Sequence, residues 1–373
     1  MKYSMAERIT IRDLAKLAFV SRATVSLALR DSAQISLPVR QRIQQLAKLH
    51  NYRSHPMVAA LMQQIRDTRT VQDEETIAFV TSGLSAGHWK QWSWNVAIWR
   101  GAFAEANRLG FRLEEFWAGP GARDAEKLAR VLYHRGIRGI CFGSMPWPHP
   151  AFSMPWEKFV SVACTTSTGI DKLPAVRSNH FEGIYLLLSK LSKLGAQSIG
   201  IAITESDDLR VQRSWSTGIY RFCQDNPKSQ VHLLRLPFDN DQEAFTAWFK
   251  RFCPDVLVGV HPDIQALPKS LGLTAGIDIA YASLNVLDEE LGAIAGIYQD
   301  PGYLGRRAIT YISKKIYDQS LGLPEHTESI SVESRFVEGA SLQPLLKKTK
   351  KPKKKLASKK RASTRSKIEL LRG

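Results

Sequence analysis

Four cysteines in 373 residues, Cys141, Cys164, Cys223 and Cys253, stand too far apart to form any C-x-x-C pair. That spacing gives neither a zinc ligand set nor a disulfide framework, and it fits a reducing compartment. No stretch approaches the roughly 18 uninterrupted apolar residues of a membrane span. Met1 to Thr10 carries charges in place of the apolar core of an export signal, so a cytoplasmic protein without membrane segments is expected. The glycine signatures of nucleotide sites are missing too: there is no P-loop and no G-x-G-x-x-G after a strand. Phe142-Gly143-Ser144-Met145 lacks the second glycine of a nucleophile elbow. His261-Pro262-Asp263 reads as a loop at a strand end and not as a proton relay. No catalytic residues, metal or cofactor are predicted.

Present instead is a strong positive charge, formally +17, with a marked distribution. Residues 1–69 carry a net +8, residues 70–344 a net −3, and residues 345–373 a net +12. Basic ends flanking a slightly acidic middle point to a polyanionic partner met by the ends. The length exceeds what one hydrophobic core fills, so several domains are expected. The boundaries are set at 1–55 for a helical head, 56–72 for a linker, 73–344 for the core and 345–373 for a disordered basic tail.

The head reads as three short helices. Thr10 can cap a first helix whose Asp13 sits in the positive first turn and whose Leu14, Ala15, Leu17 and Ala18 form one apolar face. Ser21 caps a second, from Arg22 to Leu29. Ser36-Leu37-Pro38 opens a third, with Ile43, Leu46, Ala47 and Leu49 as its core stripe. Two helices around a tight turn make a helix-turn-helix, whose second helix can enter the major groove of double-stranded DNA N-terminus first. On that geometry Arg22 and Ala23 face bases: an Arg grips guanine with two donors, and an Ala meets a thymine methyl. Thr10, Ser21, Thr24, Ser26, Arg30 and Gln34 suit phosphate contacts, with Leu27 on the same reading helix.

Asp13-Leu14-Ala15, Val20-Ser21-Arg22-Ala23-Thr24-Val25-Ser26 and Asn51-Tyr52 together closely resemble the DNA-binding head of the LacI/GalR family of bacterial transcription regulators. Pro56 to Met62 resembles that family's hinge helix, which implies that Val58 and Leu61 meet the minor groove, Leu61 as the wedge that unstacks a base step. An ordinary apolar linker helix remains the other reading. Phe19 departs from the family pattern, standing where the turn usually has glycine, and it is strained if that position needs positive φ.

From Thr76 onward apolar runs alternate with amphipathic segments, the mark of a parallel sheet covered by helices on both faces. A first set runs to Gly139-Ile140-Cys141-Phe142 and a second begins near Val176, giving two doubly wound parallel-sheet lobes. The stretch resembles the periplasmic-binding-protein-like core of the same family at Gly101, Leu109-Gly110-Phe111, Ser178-Asn179, Gly183, Gln299-Asp300-Pro301, Gly305 and Arg335 to Gly339. That resemblance implies a small-molecule effector, possibly a carbohydrate, between the lobes, and a homodimer. Trp89, Trp92 and Trp94 follow the first strand, where they can form either a stacking wall for a sugar ring or packing aromatics. Trp215 occupies the place where family members often carry a ligand-binding Arg, with Arg213 and Arg210 nearby, and Val260-His261 replaces an Asn-Asp pair. Arg213, Trp215 and His261 complete the candidate effector set. The resemblance implies a sequence-specific regulator, with repression the expected sense, whose operator affinity a small effector changes. The alternative is a DNA-bending architectural protein whose core senses nothing. The tail lacks leucine heptads and either adds sequence-independent attraction to DNA or solubilises.

Overall fold

The computed structural model describes residues 9, 11–29, 35–50, 52, 75–83, 85–119, 122–143, 154–164, 172–237, 241–260 and 262–350. The head contains α1 (Ile11–Leu17), α2 (Arg22–Leu29) and α3 (Leu37–Leu49). They close over Leu14, Ala15, Ala18, Val25, Ala28, Ile43 and Ala47. Two long side chains stitch the bundle, Arg42 donating to the Ala18 carbonyl at 2.8 Å and Gln44 to that of Ala28 at 3.0 Å. Leu17 and Leu49, expected in the core stripe, are exposed. Each lies at the last residue of its helix, where the apolar face has already rotated past its partner.

The turn between α1 and α2 is a Schellman motif: the Val20 amide donates to the Ala15 carbonyl at 3.0 Å and that of Phe19 to Lys16 at 3.2 Å. Phe19 holds the left-handed position with φ 50°, as the sequence led us to suspect, and its ring is 93% exposed.

The core has two six-stranded sheets. The first orders β2 (Phe111–Trp117), β1 (Glu75–Thr81), β3 (Gly139–Phe142), β4 (Val160–Ala163), β5 (Ala175–Ser178) and β11 (Ser329–Val332), all parallel. The second orders β7 (Gln230–Leu236), β6 (Ser198–Thr204), β8 (Val256–Gly259), β9 (Ala280–Ser283), β10 (Ala295–Tyr298) and β12 (Arg335–Val337), of which β12 is antiparallel. Central strands such as Gly139-Ile140-Cys141-Phe142 and Val256-Leu257-Val258-Gly259 are buried throughout, because helices cover both faces. The covering helix α5 (Ala122–His134) shows why such segments fold as they do. Its Ala125, Leu128, Ala129 and Leu132 recur at three- and four-residue steps and are buried, while the intervening polar residues face out.

Three crossings join the lobes, from β5 into α6 (His180–Lys193), from β10 into α11 (Pro301–Tyr317), and from β11 into β12. The helix α4 (Ser93–Arg108) packs so tightly on α11 that a Cβ on Gly101 would lie 1.9 Å from the Gly302 carbonyl oxygen, and one on Gly305 2.1 Å from that of Ile98. Glycine is required at both by backbone approach.

Two expectations need correction. The strand around Val176 opens no second sheet: it lies between β4 and β11 in the first. Sheet membership depends on non-local pairing, which a local apolar pattern does not carry. The chain also stays ordered past residue 344, as α12 (Gln343–Lys350). Leu345 is 1% exposed within the core of the second lobe, and Lys348 pairs with Asp255. The basic composition concealed an apolar anchor at Leu342, in the turn just before α12, and Leu345, in its first turn.

Candidate functional site

In each sheet the strand order reverses between two central strands, β1 and β3 in the first and β6 and β8 in the second. Loops at the carboxyl ends of strands diverge at such a point and leave a crevice. The cleft between the lobes follows this rule. Cys164 lies one residue beyond β4, Arg177 and Ser178 end β5, Val260 follows β8, Asn285 lies two residues beyond β9, and Gln299 directly follows β10. Helices complete the wall with Trp94 and Leu304 on the first-lobe side, and His180, Arg210 and Trp215 on the second. The cleft encloses about 60 Å³ and opens to solvent at its mouth.

Local chemistry positions each group. Thr204 caps α7 (Glu205–Arg210), accepting from the Asp207 amide at 3.1 Å, and the buried Asp207 carboxylate holds the Arg210 guanidinium at 3.0 Å. Arg177 donates to the Gln212 side-chain oxygen at 3.1 Å. The His180 ring meets Trp215 edge-on at 5.7 Å. Burial, with the adjacent Arg210 and Arg177, pushes the His180 imidazole down to about 3, so it is neutral at physiological pH. The Gln299 amide is fixed by donation to the Leu284 carbonyl at 2.9 Å. The Ser178 hydroxyl, in a residue 5% exposed, and the buried Asn285 side-chain oxygen have no hydrogen-bond partner among the described residues. The Cys164 thiol lies 3.5 Å from that of Cys141 on the neighbouring strand, and both cysteines are free.

The aromatic and basic candidates are dispersed. Trp94 and Trp215 line the cleft. Trp89 does not: it is 4% exposed, donates to Glu115 at 2.6 Å, and packs against Phe79 and Trp99. Its place one turn before α4 points it down onto the sheet instead of across the loop. Trp92 caps α4, is 49% exposed and meets His88 edge-on, also outside the cleft lining. Arg213 heads α8 (Ser214–Asp225) in the left-handed conformation, and its guanidinium pairs with Glu205 and approaches the buried Asp208 at 3.8 Å. That acidic pair, which Arg235 also serves, draws Arg213 away from the cleft. His261 lies outside the described residues. Sequence reasoning overlooked Arg177, His180, Asn285 and Gln299, and it set Arg210 aside as out of register. Their common signal was position within two residues of a strand or helix end facing the cleft.

In the head, the Ser21 hydroxyl accepts from the Thr24 amide at 3.0 Å and lies 2.9 Å from the Thr24 hydroxyl, capping α2. Arg22 and Ala23 are the first residues of that helix, Ser26 lies on it, and Leu27 is half-buried. Thr10, Arg30, Gln34, Val58 and Leu61 lie outside the described residues, as does the whole hinge segment. Among the described residues no helix is long and apolar enough to cross a membrane, and no cluster of His, Cys, Asp and Glu is suited to a metal.

Residues 10–55 match the family model described as bacterial regulatory proteins, lacI family. Among solved structures, the transcriptional regulator CelR in complex with cellobiose superimposes with a TM-score of 0.54 at 16% identity, over 89% of this chain and 99% of that one. The lac repressor dimer bound to operator and the anti-inducer ONPF gives 0.50 at 16% identity, over 89% and 98%. A LacI family regulator from Enterococcus faecium with bound ribose gives 0.52 at 16% identity, over 70% and 97%. No curated protein matches the sequence. The chain thus carries a lacI-family head, and its core has the two-lobed fold of these regulators.

Proposed function

We propose that this chain is a transcription regulator that reads a specific double-stranded DNA operator and changes its affinity when a small effector occupies the interlobe cleft. One juxtaposition carries the reading: a lacI-family head at residues 10–55 stands on the same chain as a two-lobed core with a polar cleft at the carboxyl ends of its strands. The neighbours bound to cellobiose and ribose support a sugar-like body for the effector, and the operator-bound repressor dimer supports two heads acting together.

On this reading the protein is a homodimer and its sense is repression. Arg22 and Ala23 read base edges from the start of α2. Thr10, Ser21, Thr24, Ser26, Arg30 and Gln34 fix register on phosphates, Leu27 supports the reading helix, and Val58 and Leu61 meet the minor groove. In the cleft, Trp94 and Trp215 line the wall, and Ser178, Asn285 and Arg210 offer polar partners. Selection of bound DNA from a genomic library, followed by footprinting, tests the function. A short symmetric protected site is expected. Diffuse protection without a recurring sequence would replace this reading with that of an architectural DNA-bending protein.

A further inference from the structure

We infer that the interlobe cleft takes an anionic small molecule, whose carboxylate or phosphoryl group sits between Arg177 and Arg210 with the Ser178 hydroxyl as a further donor. The inference rests on the effector-site reading above and names the chemical class of the occupant. Two guanidinium groups line the cleft, and no Asp or Glu does among its described lining residues. Arg210 is partly compensated by Asp207, which lies behind it on the same short helix. Among the described residues Arg177 is not compensated in this way: its hydrogen-bond partner there is the neutral amide of Gln212.

A guanidinium presents its donors as a planar fork that matches an oxyanion, and hydrogen bonds to an ionised acceptor are about twice as strong as neutral ones. Ser178 is buried and adjoins Arg177, and its hydroxyl has no hydrogen-bond partner among the described residues, so an oxyanion would satisfy it. The neutral state of His180 agrees with this: burial is its main cause, and Arg210 and Arg177 add to it a positive field which an anion relieves. The Asn285 oxygen, buried and without a hydrogen-bond partner among the described residues, can accept only from a donor, which calls for a hydroxyl on the ligand body. With Trp215 and Trp94 as walls, a hydroxylated acid or a sugar phosphate satisfies these features together, whereas a neutral sugar brings no charged acceptor to Arg177 and leaves Arg210 to Asp207.

The test measures binding to the full-length protein by calorimetry and tryptophan fluorescence with matched probes: glucose, gluconate, glucose 6-phosphate, galactose, galacturonate and inorganic phosphate. At least one anionic sugar should bind about tenfold to a hundredfold more tightly than its neutral counterpart. Which anion wins separates carboxylate from phosphoryl recognition. Arg177→Gln, which among the described residues gives up a hydrogen bond to a neutral amide, should remove the preference without unfolding the lobe, and Arg210→Lys should weaken it while keeping a charge beside Asp207. Equal affinity for neutral and anionic partners overturns the inference. So does a preference that survives Arg177→Gln, which would place the anion on the basic head or tail, and so does the absence of binding by every probe at millimolar concentration. DNA-site selection on the same preparation keeps the two readings apart. A symmetric site without anion preference sinks only this inference, and anion preference without any selected site sinks only the regulator reading.

Discussion

Replacing Phe19 with glycine should stabilise the head, although Phe19 is a large apolar residue at the centre of the turn between α1 and α2. Its φ of 50° puts an L-residue in the left-handed region, where crowding of Cβ against the backbone costs about 1–2 kcal/mol. Its ring is 93% exposed, so truncation forfeits almost no burial. Glycine removes the crowding but loses more backbone entropy on folding, which offsets about 0.5–1 kcal/mol. The expected net gain is about 0.5–1 kcal/mol, and the Schellman bonds from Phe19 to Lys16 and from Val20 to Ala15 persist because they use backbone groups. Native-state hydrogen exchange on the full chain reads the head separately from the lobes. The amides of Val25 and Ala18 should gain roughly twofold to fivefold in protection in Phe19→Gly and change little in Phe19→Ala, which keeps a Cβ. A loss of protection in Phe19→Gly would refute the reasoning and mean that the ring is held by a contact outside the isolated chain.

Further outcomes follow from the head, the tail and the cleft. Arg22→Ala should cost about 1–3 kcal/mol of operator binding at one base pair per half-site and relax preference there, measured by competition with single-base operator variants; uniform loss across all sequences would make Arg22 a phosphate contact. Deleting residues 351–373 should flatten the slope of log K against log salt and leave the preferred sequence alone, and an unchanged slope would show that the tail does not meet DNA. Leu345→Ala, by contrast, should cost about 2–5 kcal/mol of core stability in urea denaturation, because Leu345 is buried against the second lobe. His180 is neutral in the fold and held down to about 3, whereas in the unfolded chain it protonates near its ordinary value of about 6.5. Its contribution is therefore fully present above pH 6.5 and is lost as pH falls from there toward 3, amounting to about 2 kcal/mol by pH 5. His180→Gln should remove that part of the acid sensitivity of the core, and equal pH profiles for the two proteins would show that His180 takes up its proton alike in the folded and unfolded chain.

Much of the architecture was legible because its causes are local. The Gly139 to Phe142 strand and the helix ending at His134 announced themselves through unbroken apolarity and through a three- and four-residue apolar step, both properties of the residues themselves. The head was legible for a further reason: the Ser21 cap and the apolar faces of α1 and α2 agree on one answer, and even the anomaly at Phe19 proved informative. The cleft was less legible because it is assembled from residues far apart in sequence, each ordinary in its own context. Trp89 and Arg213 were chosen by residue type, yet Trp89 finds Glu115 and Phe79, and Arg213 finds Glu205 and Asp208, partners close enough to remove them from the cleft. Arg177 and Asn285 carried no local distinction. What they share is a place at the carboxyl end of a strand beside the other lobe, and only pairing of distant strands creates that place.

The same topology restricts how a ligand could act on DNA. Three crossings join the lobes, and the cleft draws residues from the crossings themselves: Ser178 ends the strand that leads into α6, and Gln299 opens the connection into α11. The first and third crossings are tied together, since the Asn179 amide donates to Glu333 at 2.9 Å. A ligand held by Arg177 from one lobe and by Arg210 from the other gains both contacts only when the lobes are close, so it binds the closed arrangement better and shifts the population by that difference and no more. A ligand reaching only Trp94, or only Trp215, would bind without favouring either arrangement and leave operator affinity unchanged. On the proposed function, coupling of about 1–3 kcal/mol between cleft and operator therefore requires contacts from both sides. Arg177→Gln and Arg210→Lys should then weaken the coupling together with the affinity, whereas a change at the Trp94 wall alone should lower affinity and keep the ratio of operator affinities with and without saturating ligand.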